Sequence, residues 1–412
     1  MKFSIYKQNK SIEGIVDLDG SKSISNRALV IRALCAKDFE IGRLSTSDDT
    51  RVLLRGLEAT TETVDIGAAG TSMRFLTALL ATQVGKSTIL TGSERMKERP
   101  IGVLVDALRT LGADIAYVEK DGFPPLRIKG KRLEGGSISI KSGISSQYIS
   151  ALLMLGPTFE KGLDLTLEGD MVSRTYIEMT LALMAYFGIE HVWDGQTIRI
   201  LPQAYQAKDF VVEADWSAAS YHYSLMALAN SGSLQLNGLF EKSVQGDRVL
   251  VEIMQPLGVQ TTFQETGVLL TKTAVTTEFF EQDFVLCPDL AQTLAVVCTG
   301  LGIPGRFLGL QTLAIKETDR TLALEQELHQ FGAAFSGAHD VWILSVHAKV
   351  FEDVPVIKTY HDHRMAMAFA PLALKLKGHL VIEDPMVVTK SYPLFWEDLR
   401  GLGFLVEEKN GV

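Results

Sequence analysis

The order of apolar and polar positions predicts two kinds of helix that alternate with short strands. Helices of the first kind are rich in alanine and apolar on nearly every face, which is typical of helices buried on all sides. This pattern occurs six times, at residues 25–36, 71–81, 147–155, 217–229, 290–301 and 365–376. A small, polar or charged residue lies at or just before the start of each copy: Ser23, Thr71, Ser146, Ser217, Asp289 and His363.

Helices of the second kind are amphipathic, and each is predicted to end at a glycine. That glycine follows a large apolar residue, or once Arg55, and precedes another apolar residue. Glycine in this setting is typical of the left-handed residue that ends a helix. The six positions are Gly56, Gly112, Gly188, Gly258, Gly332 and Gly403. Their spacings of 56 to 76 residues predict six similar units of about 69 residues in the chain of 412.

Short segments of alternating apolar and polar residues predict the strands of these units. Examples are residues 137–140, 163–167, 197–200, 233–236 and 341–346. Strands that alternate with helices indicate the α/β class. The period is too long for a simple solenoid, and about 150 residues per domain predicts two or three domains. We therefore expect the units to gather into globular lobes.

Composition narrows the class of protein. Apolar residues make up 46% of the chain and charged residues 22%, as in ordinary globular proteins. No run approaches the roughly 18 apolar residues of a membrane helix, and the first ten residues lack the apolar stretch of a signal peptide. Three scattered cysteines, Cys35, Cys287 and Cys298, build no disulfide framework. We expect a cytoplasmic protein, and the net charge of −9 disfavours nucleic acid as a partner.

The entries to the buried helices are candidate anion sites. A helix N-terminus presents unsatisfied N–H groups and partial positive charge, so six of them would suit anionic ligands if they converge; ordinary helix caps are the alternative. Lys22 and Arg27, flanked by Ser23 and Ser25, would suit phosphate or carboxylate. This stretch lacks the earlier glycine of a nucleotide-binding P-loop, and a solvated basic helix start remains the other interpretation.

Charged residues late in the chain are candidates for proton transfer. Asp289 and Glu317 are single acids near cations. Residues 316–320 place opposite charges within ion-pair reach. His361 and His363 have a spacing that could suggest a metal site, but Arg364 beside them and the lack of a cysteine or carboxylate cluster disfavour one. We therefore predict no metal.

Taken together, these motifs resemble the EPSP synthase family, the 3-phosphoshikimate 1-carboxyvinyltransferases, over essentially the whole chain. The resemblance rests on residues 20–27, 69–74, 95–100, 145–147, 316–320 and 362–367, with Lys390. It implies an α/β fold of two lobes, an inside-out α/β barrel of six βαβαββ repeats with three per lobe, which closes on its substrates. It also implies a C-terminal lobe of residues 1–19 plus 215–412 and an N-terminal lobe of residues 20–214.

The resemblance implies transfer of the enolpyruvyl group of phosphoenolpyruvate to the 5-hydroxyl of shikimate 3-phosphate, with release of phosphate. No metal or organic cofactor is implied, the partners are these two small molecules, and we expect a monomer. The residues implied to hold shikimate 3-phosphate are Lys22, Ser23, Arg27, Ser145, Ser146, Ser173, Asp289, Thr312 and Lys316. Those implied to hold phosphoenolpyruvate are Lys22, Gly70, Arg99, Gln147, Arg320, Arg364 and Lys390.

The same resemblance implies the catalytic roles. Asp289 would accept the proton of the attacking hydroxyl and Glu317 would deliver one to the methylene carbon, with Lys22 and His363 as further proton-handling groups. Thr312 stands where the family usually has asparagine. Because Gly70 adds no methyl group to the pocket, we expect inhibition by glyphosate.

Two other functions stay open. A UDP-N-acetylglucosamine enolpyruvyl transferase shares the implied fold, but the cysteine typical of its mobile loop is missing from residues 93–100, and the triplet 145–147 favours a sugar phosphate. The second alternative is an anion-binding homologue without catalysis. Retention of Lys22, Asp289 and Glu317 together speaks against it.

Overall fold

The computed structural model describes residues 1–141, 143, 145–169, 171, 174–347 and 354–409, which form an α/β protein. Its helices are α1 (Lys22–Leu34), α2 (Asp48–Glu58), α3 (Gly70–Thr82), α4 (Glu94–Lys97), α5 (Gly102–Thr110), α6 (Ser146–Leu155), α7 (Arg174–Tyr186), α8 (Trp216–Leu228), α9 (Leu250–Met254), α10 (Ala291–Leu301), α11 (Arg320–Leu328), α12 (His363–Phe369) and α13 (Phe395–Gly401).

The strands are short, as expected for sheets that each pack on one helical layer. They are β1 (Lys2–Tyr6), β2 (Ser11–Asp17), β3 (Ile41–Gly42), β4 (Thr63–Asp65), β5 (Ser87–Thr91), β6 (Asp114–Tyr117), β7 (Leu126–Lys129), β8 (Gly136–Lys141), β9 (Leu163–Glu168), β10 (Val192–Asp194), β11 (Thr197–Ile200), β12 (Phe210–Val211), β13 (Ser231–Asn237), β14 (Val259–Gln264), β15 (Gly267–Lys272), β16 (Phe280–Asp283), β17 (Gly305–Leu308), β18 (Ala333–Ala338), β19 (Val341–Val346), β20 (Val356–Ile357), β21 (Leu380–Glu383) and β22 (Leu405–Lys409).

The chain divides into two compact units. One, the discontinuous unit, combines Met1–Asp19 with Glu213–Val412, and the other, the continuous unit, is Gly20–Val212. Each unit has a separate hydrophobic core built on its own buried helices. In the continuous unit, for example, every residue of α3 from Gly70 to Ala81 is buried.

In the continuous unit, α1, α3, α6 and α7 pack against one another. Its sheets, within the described residues, have the strand orders β4-β5-β7-β6, β10-β11-β9-β8 and the two-stranded β12-β3. The strands alternate buried and exposed residues, as in β8, so each sheet turns one face to the helices. The helices are therefore covered by sheet and have their apolar surface buried on all sides.

The discontinuous unit packs α8, α10 and α12 together in the same way. Its sheets have the strand orders β20-β21-β1-β22, β14-β15-β13-β2 and β16-β17-β19-β18. β1 lies between β21 and β22 and is antiparallel to both, and β2 pairs in parallel with β13. The first strands of the chain thus complete sheets whose other strands come from its second half.

The six buried helices predicted from the sequence are confirmed. α12 ends earlier than predicted, at Phe369, and the chain continues as a 3-10 helix to Leu374. Five of the predicted helix-ending glycines have the left-handed backbone, with φ from 67° at Gly332 to 106° at Gly112. They satisfy the end of the preceding helix without a Cβ clash.

The prediction at Gly56 is wrong. Gly56 is buried inside α2, which continues to Glu58. A Cβ on Gly56 would overlap Cδ1 of Leu76, a fully buried residue of α3. Glycine at this position therefore permits close packing of two helices, and does not end one.

The sheets are less uniform than the prediction of six similar units implies. Over the described residues there are five four-stranded sheets, and the sixth sheet, β12-β3, has only two strands. None of the described helices is long and apolar enough to cross a membrane.

Candidate active site

The N-termini of several helices of the continuous unit meet at one end of it, and Arg27 joins three of them. Its Nε donates to Thr180 Oγ1 of α7 at 2.7 Å and its Nη2 donates to Ser150 Oγ of α6 at 2.9 Å. Nη1 donates to the carbonyl oxygen of Ser23 at 2.9 Å. All of these residues lie in the first two turns of their helices, so α1, α6 and α7 begin side by side.

Burial changes the character of Arg27. The residue is 3% exposed, and burial lowers the pKa of its guanidinium to about 10. The guanidinium also lies over the rings of Phe75 and Tyr176. Most of its N–H groups are thus committed to the protein, and in this structure Arg27 holds the helix starts that carry Ser23, Ser146 and Arg174.

Lys22 begins α1 and contacts the start of α2. Its Nζ lies 3.2 Å from Oδ2 of Asp49, whose side chain is 6% exposed. Ser72 of α3 donates to the Asp49 carbonyl at 3.1 Å. α2 and α3 therefore begin at the same end of the unit as α1, and Lys22 presents its ammonium group there with 19% of its side chain exposed.

Gly70 is the first residue of α3, and the guanidinium groups of two arginines lie against it. A Cβ there would lie 2.7 Å from Nη1 of Arg99 and 3.1 Å from Nη1 of Arg74. Gln147 of α6 donates to Thr71 Oγ1 at 3.0 Å. Backbone N–H groups and arginine side chains at a helix start suit an anionic oxygen, so Gly70, Arg99 and Gln147 are brought together as the sequence predicted.

The serine triplet lies at the start of α6. Ser145 is its N-cap and accepts from the Gln147 N–H at 3.4 Å, and Ser146 is its first helical residue. Ser145 is exposed and Ser146 half-buried, so both hydroxyls are accessible. Ser173, the remaining predicted serine, lies outside the described residues.

In the discontinuous unit, Arg320 joins three carboxylates. The residue is 2% exposed, and its Nε donates to Asp362 Oδ2 at 2.7 Å. Its Nη1 lies 3.1 Å from Asp289 Oδ1 and its Nη2 lies 3.0 Å from Glu317 Oε2. Burial lowers the pKa of Arg320, but the facing carboxylates outweigh it, and the net effect is a pKa well above the usual value. The guanidinium therefore stays charged and fixes the positions of both candidate proton-transfer acids.

Arg364 also contacts Asp289, at the carboxylate oxygen that does not face Arg320. Its Nη2 lies 2.9 Å from Asp289 Oδ2, and its Nη1 donates to the Asp289 carbonyl at 3.2 Å and to the Tyr221 hydroxyl at 3.3 Å. Burial raises the pKa of Tyr221 to about 12, while Arg364 lowers it. Asp289 is thus held between two guanidinium groups at the start of α10, beside the first turns of α8 and α12.

Glu317 also contacts Lys390, whose Nζ lies 3.0 Å from Glu317 Oε1. Lys316 precedes Glu317, and the pKa of its ammonium group is lowered by burial, with Asp289 opposing. Thr312 is half-buried just before a short 3-10 helix, Leu313–Ile315, that leads to Lys316. The cluster therefore contains four cationic side chains and three carboxylates that alternate with them: Lys316, Arg320, Arg364 and Lys390, and Asp289, Glu317 and Asp362.

His363 is the first residue of α12 and is 2% exposed. Its Nδ1 lies 3.6 Å from Oδ1 of Asp362, the N-cap, which accepts from the Arg364 N–H at 2.8 Å. Two residues just before the cap, Tyr360 and His361, have φ of 53° and 58°. Residues other than glycine rarely adopt this left-handed backbone conformation, so the turn that leads into Asp362 and His363 is unusual.

Sequence reasoning missed two carboxylates at these helix starts. Asp49 is the partner of Lys22, and Asp247 accepts a short hydrogen bond from Ser217 at the start of α8. Burial raises the pKa of Asp247 to about 7, and the negative charge of Asp289 adds to that effect. Asp49 was detectable as one of the two acids in the first turn of an amphipathic helix; for Asp247 the local sequence carries no comparable signal.

Each unit thus gathers helix N-termini, cations and hydroxyl groups at one place, and the discontinuous unit adds two acids held by arginines. Anions are bound by such groups, and carboxylates fixed beside them can move protons. These features define an α/β enzyme that acts on multiply charged anions. Among the described residues, no group of three or more His, Cys, Asp or Glu side chains is placed so that it could hold a metal ion.

Comparison with known proteins narrows this class. The model of the EPSP synthase (3-phosphoshikimate 1-carboxyvinyltransferase) family matches residues 6–63 and 55–399. A 3-phosphoshikimate 1-carboxyvinyltransferase of Bacteroides fragilis strain YCH46 is 51% identical over 396 residues, 95% of this chain and 96% of that protein. One from Haemophilus influenzae is 35% identical over 423 residues, with the same two shares covered.

The fold has a close match as well. A solved structure of EPSP synthase from Acinetobacter baumannii superposes with a TM-score of 0.81 at 21% identity and covers 99% of this chain and 100% of that one. The chain belongs to the EPSP synthase family.

Proposed function

We propose that this protein transfers the enolpyruvyl group of phosphoenolpyruvate to the 5-hydroxyl of shikimate 3-phosphate, giving 5-enolpyruvylshikimate 3-phosphate and phosphate in the shikimate pathway. The observation that carries the proposal is the pair of acids, Asp289 and Glu317, fixed by one buried guanidinium, that of Arg320. Family membership and the names of the relatives at 51% and 35% identity support it.

The reaction needs a base for the alcohol and an acid for the alkene. The hydroxyl oxygen attacks C2 of phosphoenolpyruvate while a proton adds to its methylene carbon, and the resulting tetrahedral intermediate then loses phosphate and a proton to restore the alkene. In our proposal Asp289 accepts the hydroxyl proton and Glu317 delivers the proton to carbon. Lys22 and His363 are further proton-handling groups, because both lie at helix starts.

The anionic groups need cations that hold developing charge. In the proposal shikimate 3-phosphate is contacted by Lys22, Ser23, Arg27, Ser145, Ser146, Ser173, Asp289, Thr312 and Lys316, and Arg27 also holds the helix starts that carry Ser23 and Ser146. Phosphoenolpyruvate is contacted by Lys22, the Gly70 backbone, Arg99, Gln147, Arg320, Arg364 and Lys390. The support is that Gly70 and Arg99 adjoin in one unit and that Arg320, Arg364 and Lys390 surround the two acids in the other.

The finer architecture is part of the same proposal. We assign the lobes to residues 1–19 plus 215–412 and 20–214, each an arrangement of three βαβαββ repeats around buried helices. Three helix entries per unit support three repeats in each. The two small molecules are the expected ligands and the chain is expected to act as a monomer.

A phosphate-release assay with both substrates tests the function. The wild type should release phosphate only when both are present, and Asp289→Asn should lower kcat by at least about a hundredfold, because general acid-base groups contribute about that much. Asp38→Asn, at a side chain 86% exposed, is the matched control and should retain full activity. No release by the wild type, with binding of shikimate 3-phosphate intact in calorimetry, would establish the non-catalytic alternative.

A further inference from the structure

Helix α11 contacts one extended segment of the chain at two points. Arg320 is its first residue and Glu327 its eighth. Seven residues make two turns, so both side chains leave the same face of the helix about 10 Å apart. Arg320 contacts Asp362, and Glu327 contacts the residues that precede Asp362. The distance between Arg320 and Glu327 on the helix therefore matches the distance between the two parts of the segment that they contact.

The Glu327 end of this contact is buried and fully engaged. Glu327 is 3% exposed, and its Oε1 accepts from the Tyr360 hydroxyl at 2.5 Å while Oε2 accepts from the Lys358 N–H at 3.2 Å. The Tyr360 hydroxyl also lies 2.7 Å from Gln326 Oε1. Burial raises the pKa of Glu327, and the Tyr360 hydroxyl opposes that effect. A buried carboxylate is costly, so this one would be disfavoured without its partners.

Gln330 extends the contact by one more step. Its Nε2 donates to Glu327 Oε2 at 2.8 Å and to the Val356 carbonyl at 3.0 Å, and its Oε1 accepts from the Val356 N–H at 3.1 Å. Alternate residues of the segment, Val356, Lys358 and Tyr360, are thus all held from the end of α11. Side chains and backbone groups of an extended segment repeat with this period of two.

The left-handed pair, Tyr360 and His361, includes the tyrosine that contacts Glu327 and directly precedes Asp362, which contacts Arg320. Such a backbone persists only where surrounding contacts over-determine it. Asp362 follows immediately, and it caps α12, contacts Arg320 and accepts from the backbone of Arg364. The contacts of Tyr360 therefore lie directly upstream of the turn that orients three residues of the candidate active site.

We propose that Glu327 and Tyr360 are positioning residues for phosphoenolpyruvate binding: their contact holds the left-handed turn in the conformation that sets Asp362 against Arg320 and Arg364 against Asp289. Neither residue touches the candidate site itself. The proposal rests on the proposed function, which assigns Arg320 and Arg364 to phosphoenolpyruvate. Without the contact, the turn relaxes toward ordinary backbone angles and both guanidinium groups lose their fixed geometry.

Tyr360→Phe tests this by removing one oxygen atom. The KM for phosphoenolpyruvate should rise about tenfold, as expected for loss of one hydrogen bond to a charged group, while the KM for shikimate 3-phosphate stays within about twofold and kcat changes less. Tyr186→Phe is the matched control, because it likewise removes a tyrosine hydroxyl, one that donates to the Asp209 carbonyl at 2.9 Å. It should leave both KM values unchanged. Equal effects of the two variants on the KM for phosphoenolpyruvate would overturn the proposal.

A double-mutant cycle with Glu327→Ala separates positioning from general loss of stability. Because both substitutions break the same contact, the double variant should raise the KM for phosphoenolpyruvate no further than Glu327→Ala alone. Additive increases would refute the shared contact. If the wild type releases phosphate and Tyr360→Phe has the same KM for phosphoenolpyruvate, only this inference is refuted. If the wild type releases no phosphate, the proposed function is refuted.

Discussion

Asp247 should contribute stability that is lost as the pH rises, and Asp247→Asn should remove this one contribution. Asp247 is 6% exposed beside Asp289 and Asp215, and burial raises the pKa of its carboxyl group from 3.8 to about 7. Arg364 and the Ser217 hydroxyl act in the opposite direction but do not cancel the effect. In the native protein this residue therefore keeps its proton to a much higher pH than in the unfolded chain.

The size and sign of the effect follow from proton linkage. Between about pH 4 and pH 7 the folded protein holds a proton that the unfolded chain releases, so the free energy of unfolding decreases as the pH rises through this window. The difference between about 7 and 3.8 corresponds to at most about 4 kcal/mol. For a unit of this size each kcal/mol corresponds to about 2–4 °C, so the melting temperature would change by at most about 8–16 °C.

Thermal denaturation of the wild type and Asp247→Asn across this pH range measures the effect. The amide keeps the volume and the hydrogen bond from Ser217 but carries no titrating proton, so the difference in melting temperature should shift in favour of the variant by several degrees as the pH rises. Asp38→Asn, at an exposed side chain, should keep the slope of the wild type. Parallel curves for the wild type and Asp247→Asn would refute the reasoning.

Four further predictions concern two glycine positions, inhibition by glyphosate and the buried Arg27. Gly70→Ala should raise the KM for phosphoenolpyruvate at least about tenfold, because the new Cβ would lie 2.7 Å from Arg99 Nη1; millimolar glyphosate should inhibit phosphate release by the wild type, and unchanged release would contradict an open pocket at Gly70. Gly56→Ala should lower stability by about 1–3 kcal/mol in thermal denaturation through overlap with Leu76, whereas Gly401→Ala, whose Cβ meets nothing within 4 Å, should not. Arg27→Lys should speed hydrogen exchange at the starts of α1, α6 and α7, since one ammonium group cannot replace the three guanidinium nitrogens that donate separately to Thr180, Ser150 and the Ser23 carbonyl; unchanged protection there would show that these three contacts are dispensable.

The buried helices and most of the candidate site were predictable because their signals are local. A run that is apolar on nearly every face, such as α3, indicates a helix buried on all sides, and the entry residues Lys22, Gly70 and Asp289 each mark a helix start. The sequence alone did not show whether these helix starts lie close together. The contacts of Arg27 and Arg320 show that they do within each unit.

What was not predictable depends on neighbours distant in the chain. Asp49 is recognisable as an acid in the first turn of a helix, but its pairing with Lys22 spans 27 residues and that of Asp247 with Ser217 spans 30, and neither pairing leaves a periodic trace. Gly56 shows a different limit. A glycine between apolar residues is equally compatible with a helix end and with close helix packing, and only the position of Leu76 distinguishes the two.

The pairing of β1 has a consequence for the order in which the protein folds during synthesis. β1 lies between strands that begin at Leu380 and Leu405, so it is synthesised long before either of the strands with which it pairs. The continuous unit, Gly20–Val212, is fully synthesised long before those strands and can acquire its own core first. Nascent chains therefore carry an unpaired apolar strand ahead of a folded unit, and a circular permutant that moves Met1–Asp19 behind the C-terminal strand would shorten that exposure.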